Sequence, residues 1–388
     1  MEHDQAYSIG ACFAALEDPR VERTKWHSLE AIVAIALCAV ICGADGWVEI
    51  AEFGKAKEAW FATILDLPHG TPSHDTVGRV FAALDPDQFE ACFREWVAGV
   101  GARLGLDRAG DGAGRMVALD GKTLRRSHDR GRGTAALHLV SAWASEARLV
   151  LAQRAVHAKA SEVGALPAVL QLLALEGCIV TIDAMGTHAS SAQAIVDKEA
   201  DDVLALKDNQ PRLFSEGQAL FADAMAVGFR GVEHRMNRPV DGGHGRVEIR
   251  QAWVITDPAH VHYLDPEGTW PNLRSIALVR AERRCGDQVS HEVRYYLSSL
   301  AGPRVARILN NAVRAHWGIE NSLHWTLDVA FREDESRVRT GHAAHNLALL
   351  RRIALTLLQH ESTTRCGIKA KRLKAGWDHR YLLQVLAS

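Results

Sequence analysis

Seven cysteines are scattered along the 388 residues, with no CxxC pair among them. The odd count and the missing pairs exclude a disulfide framework and point to a reducing, cytoplasmic setting. Long apolar runs are missing too. The most apolar stretch, residues 31–44 (AIVAIALCAVICGA), lies between Glu30 and Asp45. It is too short to span a bilayer core about 30 Å thick, so a buried helix is expected and no membrane partner. The first residues, MEHDQAYSIG, are acidic ahead of any apolar run, which does not suit a secretory signal. Nor is there an excess of either charge. With a formal net charge of −2, any attraction to nucleic acid must come from local patches. No internal repeat or low-complexity segment is present.

What remains is an ordinary composition, 47% hydrophobic and 24% charged, long enough for two or three domains. Residues 1–105 carry a helical period, interrupted by turn signals at PHGTPSHD (68–75) and LDPDQ (84–88). Asp75 is the expected helix cap after the first of these. The Gly-rich passage GLDRAGDGAG (105–114) marks a boundary. Beyond it, residues 115–228 read as three antiparallel strands (RMVALDG, ALHLVSAWA, RLVLAQRAV), then alternating helix and strand, an α/β layer arrangement. Period-two patterning over 229–300 predicts a β-rich insertion, and 301–388 returns to helical periodicity.

The stretch MVALDGKTLRRS (116–127) passes from apolar to basic at Asp120. Its GKT imitates the end of a P-loop, but Met116 stands where that motif needs glycine. The alternative is a metal-binding carboxylate at a strand end, with Lys122, Arg125 and Arg126 forming a basic rim. Asp183 ends a second apolar run, CIVTI, and parallel neighbouring strands would put both acids at one sheet edge. A third acid, Glu320, shares a helix face with His316 and His324, because each four-residue step turns only about 40°. Trp317 and Trp325 accompany them as expected apolar anchors. No HExxH or paired CxxC supports zinc. Lys207 falls at the strand-end rim as a DNA contact, and His188 as a helix cap. Two basic stretches, 235–250 with Arg246 and 365–380 with Trp377, read equally as nucleic-acid contacts or as a plain hairpin and a tail helix packed through Leu373 and Trp377.

Taken together, VALDGKTLRRS, IDAMGTH, LALKDNQ, GHGRVEIR, RAHWGIENSLHWTLDVAFREDESRVR and LKAGWDHRYLLQVL resemble the insertion-sequence transposases of the ISAs family, which includes the H-repeat-associated proteins. The resemblance covers nearly the whole chain. It implies an α/β fold: an RNase H-like core, a mixed sheet flanked by helices, carrying a DDE triad, with a β-rich insertion and a helical N-terminal domain for DNA ends or dimer contacts. Carried over by position, the triad is Asp120, Asp183 and Glu320, at separations of 63 and 137 residues. The wider group has Tyr, Arg, Glu and Lys on its signature helix. Here those positions are Val313, His316, Glu320 and Leu327, so only the glutamate matches, and Arg314 and His316 are left as candidate phosphate contacts.

The implied reaction is Mg²⁺-dependent cleavage of double-stranded DNA at the element's terminal repeats followed by strand transfer, with Mn²⁺ as a substitute and a homodimer on the DNA. A nuclease without strand transfer and a dormant DNA-binding relic are the alternatives.

Overall fold

The computed structural model describes residues 9–104, 115–129, 131, 133–156, 162–243 and 245–388. The Gly-rich boundary at 105–114 therefore lies outside the described residues.

The apolar stretch becomes helix α1 (Leu29–Ile41), started by the Ser28 side chain, which accepts from the Ala31 N–H. It is apolar almost all round and correspondingly buried on nearly every face. Helices α2 (Trp47–Ala56), α3 (His74–Ala83) and α4 (Pro86–Arg103) follow. The cap of α3 is Ser73, whose hydroxyl accepts from Thr76 N–H at 3.3 Å. Asp75 sits inside the first turn, where its charge favours the helix dipole, and is not the cap.

Strands β1 (Met116–Thr123), β2 (His138–Ala144) and β3 (Leu149–Val156) form an antiparallel meander. Helix α5 (Glu162–Gln171) leads to β4 (Ile179–Ile182), and α6 (Ala189–Val196) to β5 (Asp201–Leu206). Both β1–β4 and β4–β5 pair in parallel. After helix α7 (Pro211–Ala226) come β6 (His234–Asn237), β7 (Val240–Gly243), β8 (Arg246–Ile255), β9 (Ser275–Cys285) and β10 (Gln288–Ser298). These strands extend the core sheet, since β10 pairs antiparallel with β5, giving the order β3-β2-β1-β4-β5-β10-β9-β8-β6.

Beyond the sheet, helix α8 (Val305–Gly318) continues through a π-helical turn (Ile319–His324) into α9 (Trp325–Phe331). The chain closes with α10 (Ala343–His360), α11 (Ile368–Trp377) and α12 (His379–Leu386). Helix α10 is as thoroughly buried as α1, and each needs cover on every side. They meet in one core with α3, α4 and α12, so the N- and C-terminal helices form a single bundle against the β1–β3 side of the sheet.

Sequence patterning placed the end of β1 at Asp120, but the strand runs on to Thr123. Beyond Leu119 it loses β4 while still pairing with β2 through Thr123↔His138. The C-terminal basic segment also differs from expectation. Leu373 and Trp377 are exposed, Trp377 at 78%, while Lys371 and Arg372 turn inward to backbone carbonyls of Leu358 and Val40.

The insertion rejoins the core at Asp202 of β5. The Asp202 carboxylate accepts from Ser299 N–H at 2.9 Å, and the Ser299 hydroxyl accepts from Asp202 N–H. Burial pushes the Asp202 carboxyl up to about 7, against the help of the Ser299 N–H. A raised folded pKa means that stability is lost as pH rises from the ordinary carboxylate value through 7. Asp202→Asn is therefore expected to raise stability at pH 8.5 by roughly 2 kcal/mol and to change little near pH 4, as read from urea midpoints at both pH values.

Candidate active site

Side chains alternate along a strand, so β1 splits its residues between two cores. Val117 and Leu119 face α5 and α6 with Val180 and Ile182 of β4. Ala118 belongs to the opposite face, covered by α8 and the π turn, and Asp120 follows it there. The last parallel rung is Leu119↔Ile182, so Asp120 and Asp183 stand one step beyond it on adjacent strands. Glu320 and His324 both lie on the π turn opposite.

The Asp120 carboxylate lies 3.3 Å from His324 Nδ1 and accepts from Gly121 N–H at 2.9 Å. Burial pushes its pKa up, but the hydrogen bond and charge of His324, with His316 and the Gly121 N–H, outweigh burial and hold it below the usual carboxylate range. Burial and the neighbouring Asp120 charge lift Glu320 above its ordinary value, opposed by Arg294 and His324. Asp183 accepts from Gly186 N–H at 3.0 Å. Gly186 is confined there, because a Cβ would meet Ile182 at 2.4 Å and Leu166 at 2.5 Å.

The other acids near the helix are engaged elsewhere. Glu333 is fully buried 2.8 Å from Arg352, Asp334 pairs with Lys122 and Arg125, and Glu335 pairs with Arg332. Among the described residues Glu320 has no ion-pair partner.

The expected basic rim needs revision. Lys122 is buried, with Nζ 2.6 Å from both Asp328 oxygens, so its charge is spent inside the protein and it does not face DNA. His316 turns inward to Thr181 Oγ1 at 2.9 Å and is not a phosphate contact. Trp317 and Trp325 are exposed, Trp325 at 61%, and so are not core anchors. His188 occupies the cap position of α6 without a side-chain cap bond. Arg125, Arg126, Lys207, Arg246 and Arg314 are exposed.

Arg246 and Arg314 line a cavity of about 1200 Å³ between the insertion and α8, together with Arg148, Arg250, Arg283 and Arg294. Lining acids are fewer, Glu248 and Glu292. Arg294 stacks on Trp317 at 4.3 Å and links this cavity electrostatically to Glu320. Sequence reading missed Arg294 and Thr181. Thr181 was recoverable, because it lies on the apolar run two residues before Asp183.

The donors suit a hard divalent ion in their chemistry, being carboxylate oxygens, two of which repel each other. Among the described residues no group of three His, Cys, Asp or Glu side chains is drawn together at metal-binding distances, and Asp120 engages His324 instead.

A meander followed by parallel β4 and β5, in the order β3-β2-β1-β4-β5 with a helix covering one face, defines an RNase H-like fold. Residues 111–357 match the family model described as "Transposase DDE domain", and residues 11–97 match its associated domain, "DDE_Tnp_1-associated". The chain belongs to this DDE transposase family, in the branch of insertion-sequence enzymes. It is 36% identical to "Putative transposase YncI" of Escherichia coli O157:H7 over 97% of this chain and 93% of that one. It is 33% identical to "H repeat-associated putative transposase YhhI" of Escherichia coli (strain K12) over 93% of each. A shorter match, 41% over 14% of this chain and 64% of that protein, is to "Inactive transposase YbfQ" of the same strain.

The Thr181–His316 bond holds an enclosed imidazole under Asp120. Thr181→Val keeps the shape but leaves His316 Nδ1 without this partner, and is expected to cost about 1–3 kcal/mol in a urea titration.

Proposed function

We propose that this chain cuts double-stranded DNA at the terminal repeats of an insertion sequence and joins the freed 3′ ends to target DNA. The observation that carries the reading is that Asp120 of β1 lies against the π turn bearing Glu320, beside an arginine-lined cavity on the same helix. Such a site collects negative charge where a phosphodiester would also arrive, and both anions need neutralising.

Asp120, Asp183 and Glu320 would hold Mg²⁺, or Mn²⁺ as a substitute; when bound, the ions supply activation of an attacking water or 3′-hydroxyl and charge neutralisation at the leaving oxygen. The chain itself does the positioning. His324 keeps the Asp120 carboxylate ionised and oriented, and Thr181 keeps His316 behind it. The π turn presents Glu320 and His324 on one side of the helix. Arg246, Arg294 and Arg314 offer fixed positive charge to the DNA backbone, with Lys207 adding a contact beyond β5. Arg314 is steered by Asp241, which also pairs with Arg250. Holding two element ends together for joining calls for a homodimer on the DNA.

The test uses purified protein, Mg²⁺ or Mn²⁺, and DNA carrying the flanks of the chain's own gene, with strand ends mapped at single-nucleotide resolution. Asp120→Asn, Asp183→Asn and Glu320→Gln are each expected to reduce cutting by about a thousandfold, several kcal/mol of transition-state stabilisation. DNA binding should stay within about threefold. A fully active single variant removes that residue from the site. Cutting without any joined product makes the chain a nuclease, and binding without cutting by the unmodified chain makes it a relic.

A further inference from the structure

A second basic surface lies past the other end of the helix that carries Glu320. Arg126, Arg332, Arg337 and Arg339 line an open cleft of about 660 Å³ with Trp47 of α2 and His74 of α3. The first cavity runs along this helix from Val313 to Ser322, the stretch that carries Glu320, whereas the second begins at Arg332, just past the end of α9.

The loop that presents these arginines, 332–341, is anchored at both ends. Arg332 takes a left-handed conformation (φ 51°) at the end of α9, and the next residue, Glu333, is locked to Arg352 in the core. At the far end His342 N–H donates to Ala82 O at 3.0 Å, and Gly341 (φ +52°) packs so closely that a Cβ would lie 2.5 Å from that same oxygen. Arg339 ties the loop to the segment after β1 by donating to His128 O at 3.3 Å.

Of the three acids that line the cleft, Asp45, Glu49 and Glu335, two are consumed locally. Asp45 pairs with Arg372 and Arg332, and Glu335 pairs with Arg332. Among the described residues no acidic side chain forms an ion pair with Arg126, Arg337 or Arg339. Three exposed guanidinium groups without an acidic partner, two on the anchored loop and Arg126 beside it, suit an extended phosphate backbone better than a small anion.

Joining a 3′ end to a new site requires two DNA segments at one set of carboxylates. From the placement of one cleft along the Glu320 stretch of the helix and a separate one just past its C-terminal end, we infer that the Arg126–Arg337–Arg339 cleft holds the phosphate backbone of the second segment, the target duplex. This inference rests on the strand-transfer reading proposed above.

The test is the double variant Arg337→Ala/Arg339→Ala, with a thermal melt to confirm folding and Arg337→Lys/Arg339→Lys as the charge-retaining control. Binding of a duplex without element-end sequence is titrated against salt, because each lost phosphate contact lowers the slope of log K on log salt by about 0.9. The expected result is a slope smaller by about 2 and joining of a precut end down at least about tenfold. Cutting of an uncut end should change less than about twofold, and the lysine control should recover most of the joining. Unchanged slope and joining overturn the inference, as does an equal fall in cutting and joining, which would place these arginines on the element end. Should the unmodified chain neither cut nor join, the functional reading fails. The salt slope then decides alone whether the cleft contacts duplex backbone.

Discussion

The parallel pairing of β1 with β4 is the constraint on which the site depends. Four rungs, Met116↔Ile179 to Leu119↔Ile182, fix the level of Asp120 against Asp183. A slip of one residue would reverse the faces of β4. Thr181 would then leave His316, and Asp183 would no longer follow the rung level with Leu119. What prevents the slip is apolar: Val117, Leu119, Val180 and Ile182 are all buried in the core under α5 and α6. The carboxylates are held in place by the burial of their neighbours, and they contribute little to the pairing themselves.

Behind the site the fold keeps an unusual amount of charge inside. Lys122 lies between Asp328 and Asp334, and the Glu333–Arg352 pair is wholly enclosed. The charges of Arg352 and Arg351 hold Glu333 below its ordinary pKa despite complete burial. Desolvating such groups is costly, and removing one partner of a buried pair typically costs about 3–5 kcal/mol. Their placement suggests what they specify. One set ties α9 to β1, the other ties the loop after α9 to α10, so the helix with Glu320 is clamped to both the sheet and the helical bundle.

Much of this was legible in the sequence. Strand runs, the helical segments and the period-two insertion follow from local patterning, and the two aspartates could be placed because each follows an apolar run on a central strand. Other features depended on partners far along the chain. The strand runs past Asp120 because β2 supports β1 for four further residues after its pairing with β4 ends at Leu119. Lys122 looked like a rim residue because nothing local reveals Asp328, 206 residues away. Nor does any heptad or capping signal announce that α1 and α10 cover one another, since a helix apolar on every face does not say which helix completes it.

The distribution of charge accounts for how a nearly neutral chain can act on a polyanion. Arginines outnumber acids at two mouths, while several acids, Asp328, Glu333 and Asp334 among them, neutralise cations within the fold. Screening limits each exposed cluster to a reach of about 8 Å at physiological ionic strength, so the two mouths act as separate local surfaces without a shared long-range field. On the proposed reading, a DNA segment gains its full attraction only when it lies against a cleft, which would place its backbone beside the helix that carries Glu320. Electrostatic attraction and alignment with the carboxylates would then come from the same contacts.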